Sequence, residues 1–377
     1  MEFLTSIWGF LAGYILPFLI VLTIVVFFHE LGHYLVGRWC GIRAQAFSVG
    51  FGSELIGFND RHGTRWKICA IPLGGYVKFL GDENVASVPD SEAVSQMSAE
   101  ERAHSFPGAS LWRRAATVAA GPIANFILAI AIFAVFFSVN GRMIADPVVA
   151  EVRPESAAAA AGLEPGDRFV TIDGEPMRTF EDVRRYVAPR PGVPMDLTIE
   201  RDGQMIDVEL TPVRTEIEDE FGNKMEVGQI GVITNRDSGD FRVEHYTPVE
   251  AVGEGAKESW FIVARTFGYI KNIIVGREKA DQLGGPIRVA QVSGQMATLG
   301  WVALIQLAAV LSVSIGLLNL MPVPMLDGGH LVFYAIEAVL GRPLGDATME
   351  WAFRIGLTAV VSLMLFATWN DVSMLIG

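Results

Sequence analysis

The chain has 377 residues, of which 51% are hydrophobic and 19% charged, with a formal net charge of −13. Its charged share lies below the roughly 25% usual for soluble chains, its hydrophobic share excludes a disordered chain, and the acid excess excludes a nucleic-acid binder working through global positive charge. An ordinary globular enzyme is excluded by the uneven spread: residues 1–37 carry no Lys or Arg and two acids, whereas residues 141–290 hold 18 Lys+Arg against 27 Asp+Glu.

Residues 3–28 are almost unbroken apolar, with the pattern running on to Val36, and about 20 such residues cross a bilayer. The start, Met1-Glu2-Phe3, is not basic and no A-x-A site follows, so the segment reads as a retained span rather than a signal peptide. At its end stands His29-Glu30-Leu31-Gly32-His33. On a helix, positions i and i+4 lie on one face, so the two imidazoles can grip one zinc ion with Glu30 beside a bound water. Ionisable side chains at membrane depth are costly and usually functional.

The two cysteines, Cys40 and Cys69, make neither a disulfide framework nor a CxxC motif. Trp66, Ile68 and Ala70, followed by Gly74-Gly75, predict an apolar β-hairpin within residues 66–80. A second span is expected from Ala115 to Val139. Arg38, Arg43, Arg113 and Arg114 flank the loop between the first two spans, which places that loop in the cytoplasm and both termini and the middle of the chain outside.

The middle, residues 141–240, reads as an α+β module. Strands are expected at Val148–Val152 and Phe169–Ile172, with a short Ala-rich helix capped by Ser156 and ended by Gly162 between them. Thr179 caps a helix to Val187, with Asp182 placed as the acidic member of a capping box. Met195, Leu197 and Ile199 alternate up to Asp202-Gly203, and Ile206, Val208 and Leu210 alternate back, which is a hairpin signal. The run through Ala161-Gly162-Leu163, Pro165-Gly166-Asp167 and Ile172-Asp173-Gly174 resembles a PDZ domain of the bacterial kind. That resemblance implies a groove in which a peptide C-terminus adds a strand. Gly228, Ile230 and Gly231 look like its carboxylate loop; an ordinary glycine turn is the competing reading. Residues 241–290 interleave Trp260, Phe267 and Ile273 with Lys257, Arg265 and Lys271, an amphipathic linker that lies on the outer leaflet or packs beneath the module.

Residues 291–377 return to the membrane, with spans at about Gly300–Leu320 and Trp351–Trp369. Pro322 and Pro324 break the third span just before Asp327. Irregular backbone at membrane depth is tolerated against protein or a water-filled cavity, so Asp327 is the candidate third zinc ligand opposite H-E-x-x-H. His330 is its rival, although two intervening glycines favour a place on the surface or behind the ligands.

Together with Phe47–Gly52, Ile71–Val77, Gly121–Asn125, Gly285–Ile287 and Asn319–Asp327, the H-E-x-x-H helix resembles the site-2 protease family of intramembrane zinc metalloproteases over nearly the whole chain. The resemblance implies that His29, His33 and Asp327 bind Zn2+ and that Glu30 is the catalytic acid/base. It implies a role near substrate or intermediate for Asn125 and Asn319, and a membrane-re-entrant β-loop at residues 66–80 that brings Gly74, Gly75 and Tyr76 to an unwound substrate. It also implies single-span membrane protein substrates (anti-sigma factors after a first external cut, and remnant signal peptides), the bacterial inner membrane as location, lipid as surroundings and no nucleic acid. The expected fold is an α-helical polytopic membrane protein with four transmembrane helices and a membrane-associated β-hairpin. Residues 1–140 and 291–377 form its membrane parts, and the α+β PDZ domain is inserted at 141–240. The family's best-known members carry two PDZ modules in tandem, whereas this chain shows one. A transporter and an inactive peptide-binding scaffold are the other classes to weigh. The first would show repeated halves, and the second would not need Glu30 between two spaced histidines.

Overall fold

The computed structural model describes residues 11–82, 96–218, 224–234, 241–276, 280 and 284–376. Residues 3–10 of the first expected span, and 219–223 and 235–240 of the expected module, lie outside these. Two compact units emerge: residues 1–134, 252–265 and 280–377 make one, and residues 135–251 and 266–279 the other.

A single π-helical turn, Leu11–Ile15, leads into α1, Leu16–Trp39. Pro17 sits in its first turn, where a missing N–H breaks no helical bond. The strands β1 (Ala44–Asn59) and β2 (Arg65–Phe79) follow and pair with each other. The pairing corrects the expected hairpin within residues 66–80: the partner of that stretch is β1, and Gly74-Gly75 is not a hairpin tip. Ala46–Val49 face Gly75–Lys78 on one side and Arg65–Ile68 on the other, while Ile56–Asn59 close back on Arg65–Ile68. The physical reason is the turn at Asp60. The Asp60 carboxylate accepts from the His62 and Thr64 amides, Tyr34 Oη at 2.8 Å and Trp66 Nε1 at 3.1 Å. Burial alone would raise this carboxyl, but its four donors outweigh that and hold it at about 2.

The short helix α2 (Ala99–Ala103), with a capping box from Ser98 and Glu101, precedes α3 (Leu111–Asn140). In the second unit come β3 (Arg142–Ala145), β4 (Glu151–Val152), α4 (Ala157–Ala160), β5 (Arg168–Ile172) and β6 (Glu175–Pro176). They are followed by α5 (Phe180–Val187), β7 (Met195–Arg201), β8 (Gln204–Leu210), β9 (Val213–Glu218), β10 (Lys224–Gln229), β11 (Val232–Ile233) and β12 (Phe241–Glu244). The expected caps are present: Ser156 Oγ accepts from Ala159 N, and Thr179 and Asp182 form the capping box. The central sheet runs β6-β5-β7-β8, with Met195 opposite Leu210 and Ile199 opposite Ile206. Phe169, Ile172, Val183, Leu197 and Ile199, at most 2% exposed, fill the core beneath it. Of the expected strand at Val148–Val152, only Glu151–Val152 is regular, paired with β11, while Val148 bridges Arg168.

Residues 241–290 are mostly helix: α6 (Pro248–Ile274) is continuous, and α7 begins at Pro286 and ends at Thr298. The chain then forms α8 (Trp301–Asn319), α9 (Asp327–Leu340) and α10 (Asp346–Ile376). Among the described residues four helices are long and apolar enough to cross a membrane: Leu11–Trp39, Leu111–Asn140, Trp301–Asn319 and Ala347–Met374. Val21 and Val25 of α1 pack on Ala308 of α8. On the other side Tyr34, Phe47, Phe79, Phe106, Val118 and Tyr334 form an apolar cluster that joins α1, both strands, α3 and α9.

Candidate metal centre

His29 and His33 stand one turn apart on α1, with ring centroids 4.8 Å apart. Their Nε2 atoms are 3.1 Å apart, and Asp327 Oδ2 lies 3.1 Å from His29 Nε2 and 3.6 Å from His33 Nε2. Ligands about 2.0–2.1 Å from a tetrahedral zinc ion stand about 3.3 Å from one another, so this triangle has the size that one zinc ion needs. Two further observations favour an ion. Asp327 Oδ2 is buried without a hydrogen-bond partner, a costly state for a charge. A Cβ built on Gly121 of α3 would lie 2.2 Å from His33 Nε2 and 2.9 Å from His29 Nε2, so only glycine leaves that space open.

The break after α8 delivers the carboxylate. Pro322 and Pro324 have no N–H for a continuing helix, and Met325 turns the chain at φ 84°. Asp327 then opens α9, where the helix N-terminus favours negative charge. Gly328 and Gly329 let α9 press onto that loop: a Cβ at either would come within 2.3 Å of the Leu320, Met321 or Val323 carbonyl oxygens. Arg114 ties the far side of α9 to α3, with Nη2 2.6 Å from Glu337 Oε1 and its guanidinium over the Tyr334 ring.

A cavity of about 190 Å³ opens at the triangle, lined by Glu30, Val77, Asn319 and His330 among others. Val77 of β2 faces the same cavity as Glu30. Gly75 sits against both Val26 and Glu30: a Cβ added there would lie 3.5 Å from Glu30 Cγ. Gly74 lies under the Phe51 ring, and Tyr76 stacks on Phe51 with Lys67 above it, outside the cavity lining. Asn319 ends α8 at the cavity wall. His330 is 6% exposed and packed by Phe333, Tyr334 and Phe353, so it is buried beside the triangle rather than on the surface.

Asn125 is fully buried, with its amide nitrogen 3.2 Å from His29 Nδ1. Ser312 Oγ of α8 donates to the Asn125 carbonyl at 2.8 Å. His33 Nδ1 lies 2.9 Å from the Thr117 carbonyl oxygen. Sequence reasoning missed Thr117 because a backbone carbonyl leaves no mark on residue type. It missed Gly121 as a site residue although the Gly121-Pro122 pair was in view.

In the second unit, Gly228 lies within β10 opposite Arg214, and its amide donates to the Ala188 carbonyl. The Ile230 side chain is in the core. The Ile230 and Gly231 carbonyls accept from Ala158 and Arg153.

A glutamate between two histidines on an apolar helix, closed by an aspartate from a broken span, is the residue set of a zinc-dependent peptidase built into a membrane domain. The chain belongs to peptidase family M50, the site-2 protease family, whose model matches residues 17–363. It is 67% identical over 369 residues to a protein of Agrobacterium fabrum named as a zinc metalloprotease, with 98% of each chain covered. It is 39% identical over 377 residues to the metalloprotease MmpA of Caulobacter vibrioides, with 94% of each covered. Among solved structures, the PDZ domain of an SdrC-like protein from Listeria monocytogenes aligns with 22% of this chain and 82% of that one, at 19% identity and a TM-score of 0.18. The chain is therefore a metalloprotease with Zn2+ as its cofactor, and a multi-pass membrane protein.

Proposed function

We propose that this protease hydrolyses a peptide bond within or near the transmembrane segment of single-span proteins in the bacterial inner membrane. The observation that carries the reading is the convergence of His29, His33 and Asp327 beside Glu30 in a helix long and apolar enough to span the bilayer. His29, His33 and Asp327 hold the metal. Zinc, when bound, polarises the scissile carbonyl and brings the pKa of its water towards about 7. Glu30 takes a proton from the attacking water and returns it to the leaving amine. The broken backbone between Asn319 and Asp327 lets water reach Glu30.

A helical peptide bond is shielded and its carbonyl engaged, so the substrate must unwind to be cut. The Gly75–Val77 stretch, which already lies beside Glu30, pairs with the unwound segment, and Asn319 contacts it from the opposite wall. Arg38, Arg43, Arg113 and Arg114 support a cytoplasmic β1–β2 loop. The second unit and both termini then lie outside, where the unit acts as a PDZ module and admits chains already trimmed externally. Anti-sigma factors and remnant signal peptides fit that description.

The test uses the full chain with a single-span reporter. Glu30→Gln keeps zinc and loses cleavage by about 10³-fold or more, and His33→Ala loses both. Undiminished cleavage by the Gln variant overturns the assignment.

A further inference from the structure

The two histidines differ in what stands behind them. His33 Nδ1 is 2.9 Å from a backbone carbonyl, that of Thr117, and a carbonyl only accepts. His33 Nδ1 therefore carries the proton, and its Nε2 lone pair faces the triangle, as metal ligation requires. His29 faces a side-chain amide instead. Asn125 Nδ2 points at His29 Nδ1 across 3.2 Å, while Asn125 Oδ1 is buried with no partner. With the NH2 donating, His29 Nδ1 must accept. In the neutral ring the proton then sits on Nε2, the atom 3.1 Å from both His33 Nε2 and Asp327 Oδ2, where it blocks a metal.

The oxygen and nitrogen of an asparagine amide exchange places by a half-turn of the group, and which is which follows from the hydrogen-bond network. We propose that Asn125 is a positioning residue for the metal centre: its Oδ1 accepts the Nδ1 proton of His29 and so turns the Nε2 lone pair of His29 towards zinc. The half-turn keeps one hydrogen bond at the same place and changes only who supplies its proton. What decides between the orientations is the triangle, which needs two Nε2 lone pairs. The asparagine is held for this task from its backbone side, by Ser312 Oγ on its carbonyl and by the close approach of Gly316, whose added Cβ would lie 3.2 Å from Asn125 Cβ. This inference rests on His29 being a zinc ligand and goes beyond the substrate-side role that family resemblance attaches to Asn125.

The test is zinc affinity of the full chain in detergent, measured by competition with a chromogenic chelator. Groups that orient a ligating histidine typically contribute 10–100-fold to metal affinity. Asn125→Leu, similar in size and without an acceptor, is expected to bind zinc 10–100-fold more weakly. Asn125→Asp keeps an oxygen at that place and is expected to stay within about threefold of the native affinity. Native affinity in the Leu variant, or a tenfold loss in the Asp variant, overturns the proposal. If the Leu variant does not fold, the Asp arm decides alone. Absence of zinc from the native chain would instead sink the metal-site reading itself.

Discussion

Two buried carboxylates, Asp327 in one compact unit and Asp167 in the other, are treated in opposite ways. In the unit containing α1, α3 and α9, three acceptor atoms crowd within 3.1–3.6 Å of one another, and the carboxylate oxygen among them has no hydrogen-bond partner. In the other unit, Asp167 is 1% exposed but fully occupied. Arg201 Nε and Nη2 donate to its two oxygens at 2.7 and 2.8 Å, and the Glu164 amide adds a third bond. Both arrangements cost desolvation. Only the second recovers it within the chain, which is the signature of a structural pair. The first makes sense when a cation arrives, and on the function proposed above it is where the chemistry happens.

The sharpest way to break this contrast is to crowd the triangle without replacing His29, His33 or Asp327. Gly121→Ala places a methyl group 2.2 Å from His33 Nε2. Ala is the better helix former by about 1 kcal/mol, so the fold should hold while zinc affinity falls about 100-fold or more and cleavage falls with it. Metal analysis of the purified variant checks this, and a native zinc content would show that the space above Gly121 is not the ion's.

The converse change belongs to the other unit. Arg201→Ala leaves Asp167 with the Glu164 amide as its remaining donor, so the unit loses stability with zinc content unchanged. Faster hydrogen exchange in β5 and β7 with native metal content is the expected result. Lost zinc in this variant would blur the contrast between the units.

These differences decide what was legible in the sequence. His29, Glu30 and His33 were visible because one helix turn fixes their geometry locally. Asp327 was visible as an acid just beyond two prolines. The contact between Asn125 and His29 joins residues 96 positions apart, and no local pattern reports it. The partner of β2 was hidden for a related reason: the four-donor turn at Asp60 makes the long β1–β2 pairing, and attention to Gly74-Gly75 pointed to a shorter hairpin. No helix was expected at α9, since two adjacent glycines are poor helix formers, whereas those glycines are what lets the helix pack. The caps at Ser156 and Thr179 and the β7–β8 hairpin were legible in full, since each is settled within a few residues.

The smallest expected effect concerns acidity in the second unit. Burial alone would raise the Asp167 carboxyl, but the Arg201 guanidinium and the Glu164 amide outweigh burial and hold it below the ordinary range. Glu181 is lowered in the same way by Arg184 and Arg185, against the opposing effect of burial. A carboxylate depressed on folding binds fewer protons in the native state than in the unfolded one. Its stabilisation is therefore complete above the unfolded pKa, about 4, and is lost as pH falls through the lower native value. The unit should thus be stable from neutrality to about pH 5 and loosen progressively below pH 4. In Arg201→Ala the slope should be shallower, with the Glu181 share remaining, because the Glu164 amide alone is left to oppose the burial of Asp167. Hydrogen exchange of the β7 segment at several pH values reads both slopes. Parallel slopes in the native and variant chains would mean that Asp167 is not the group whose protonation loosens the sheet.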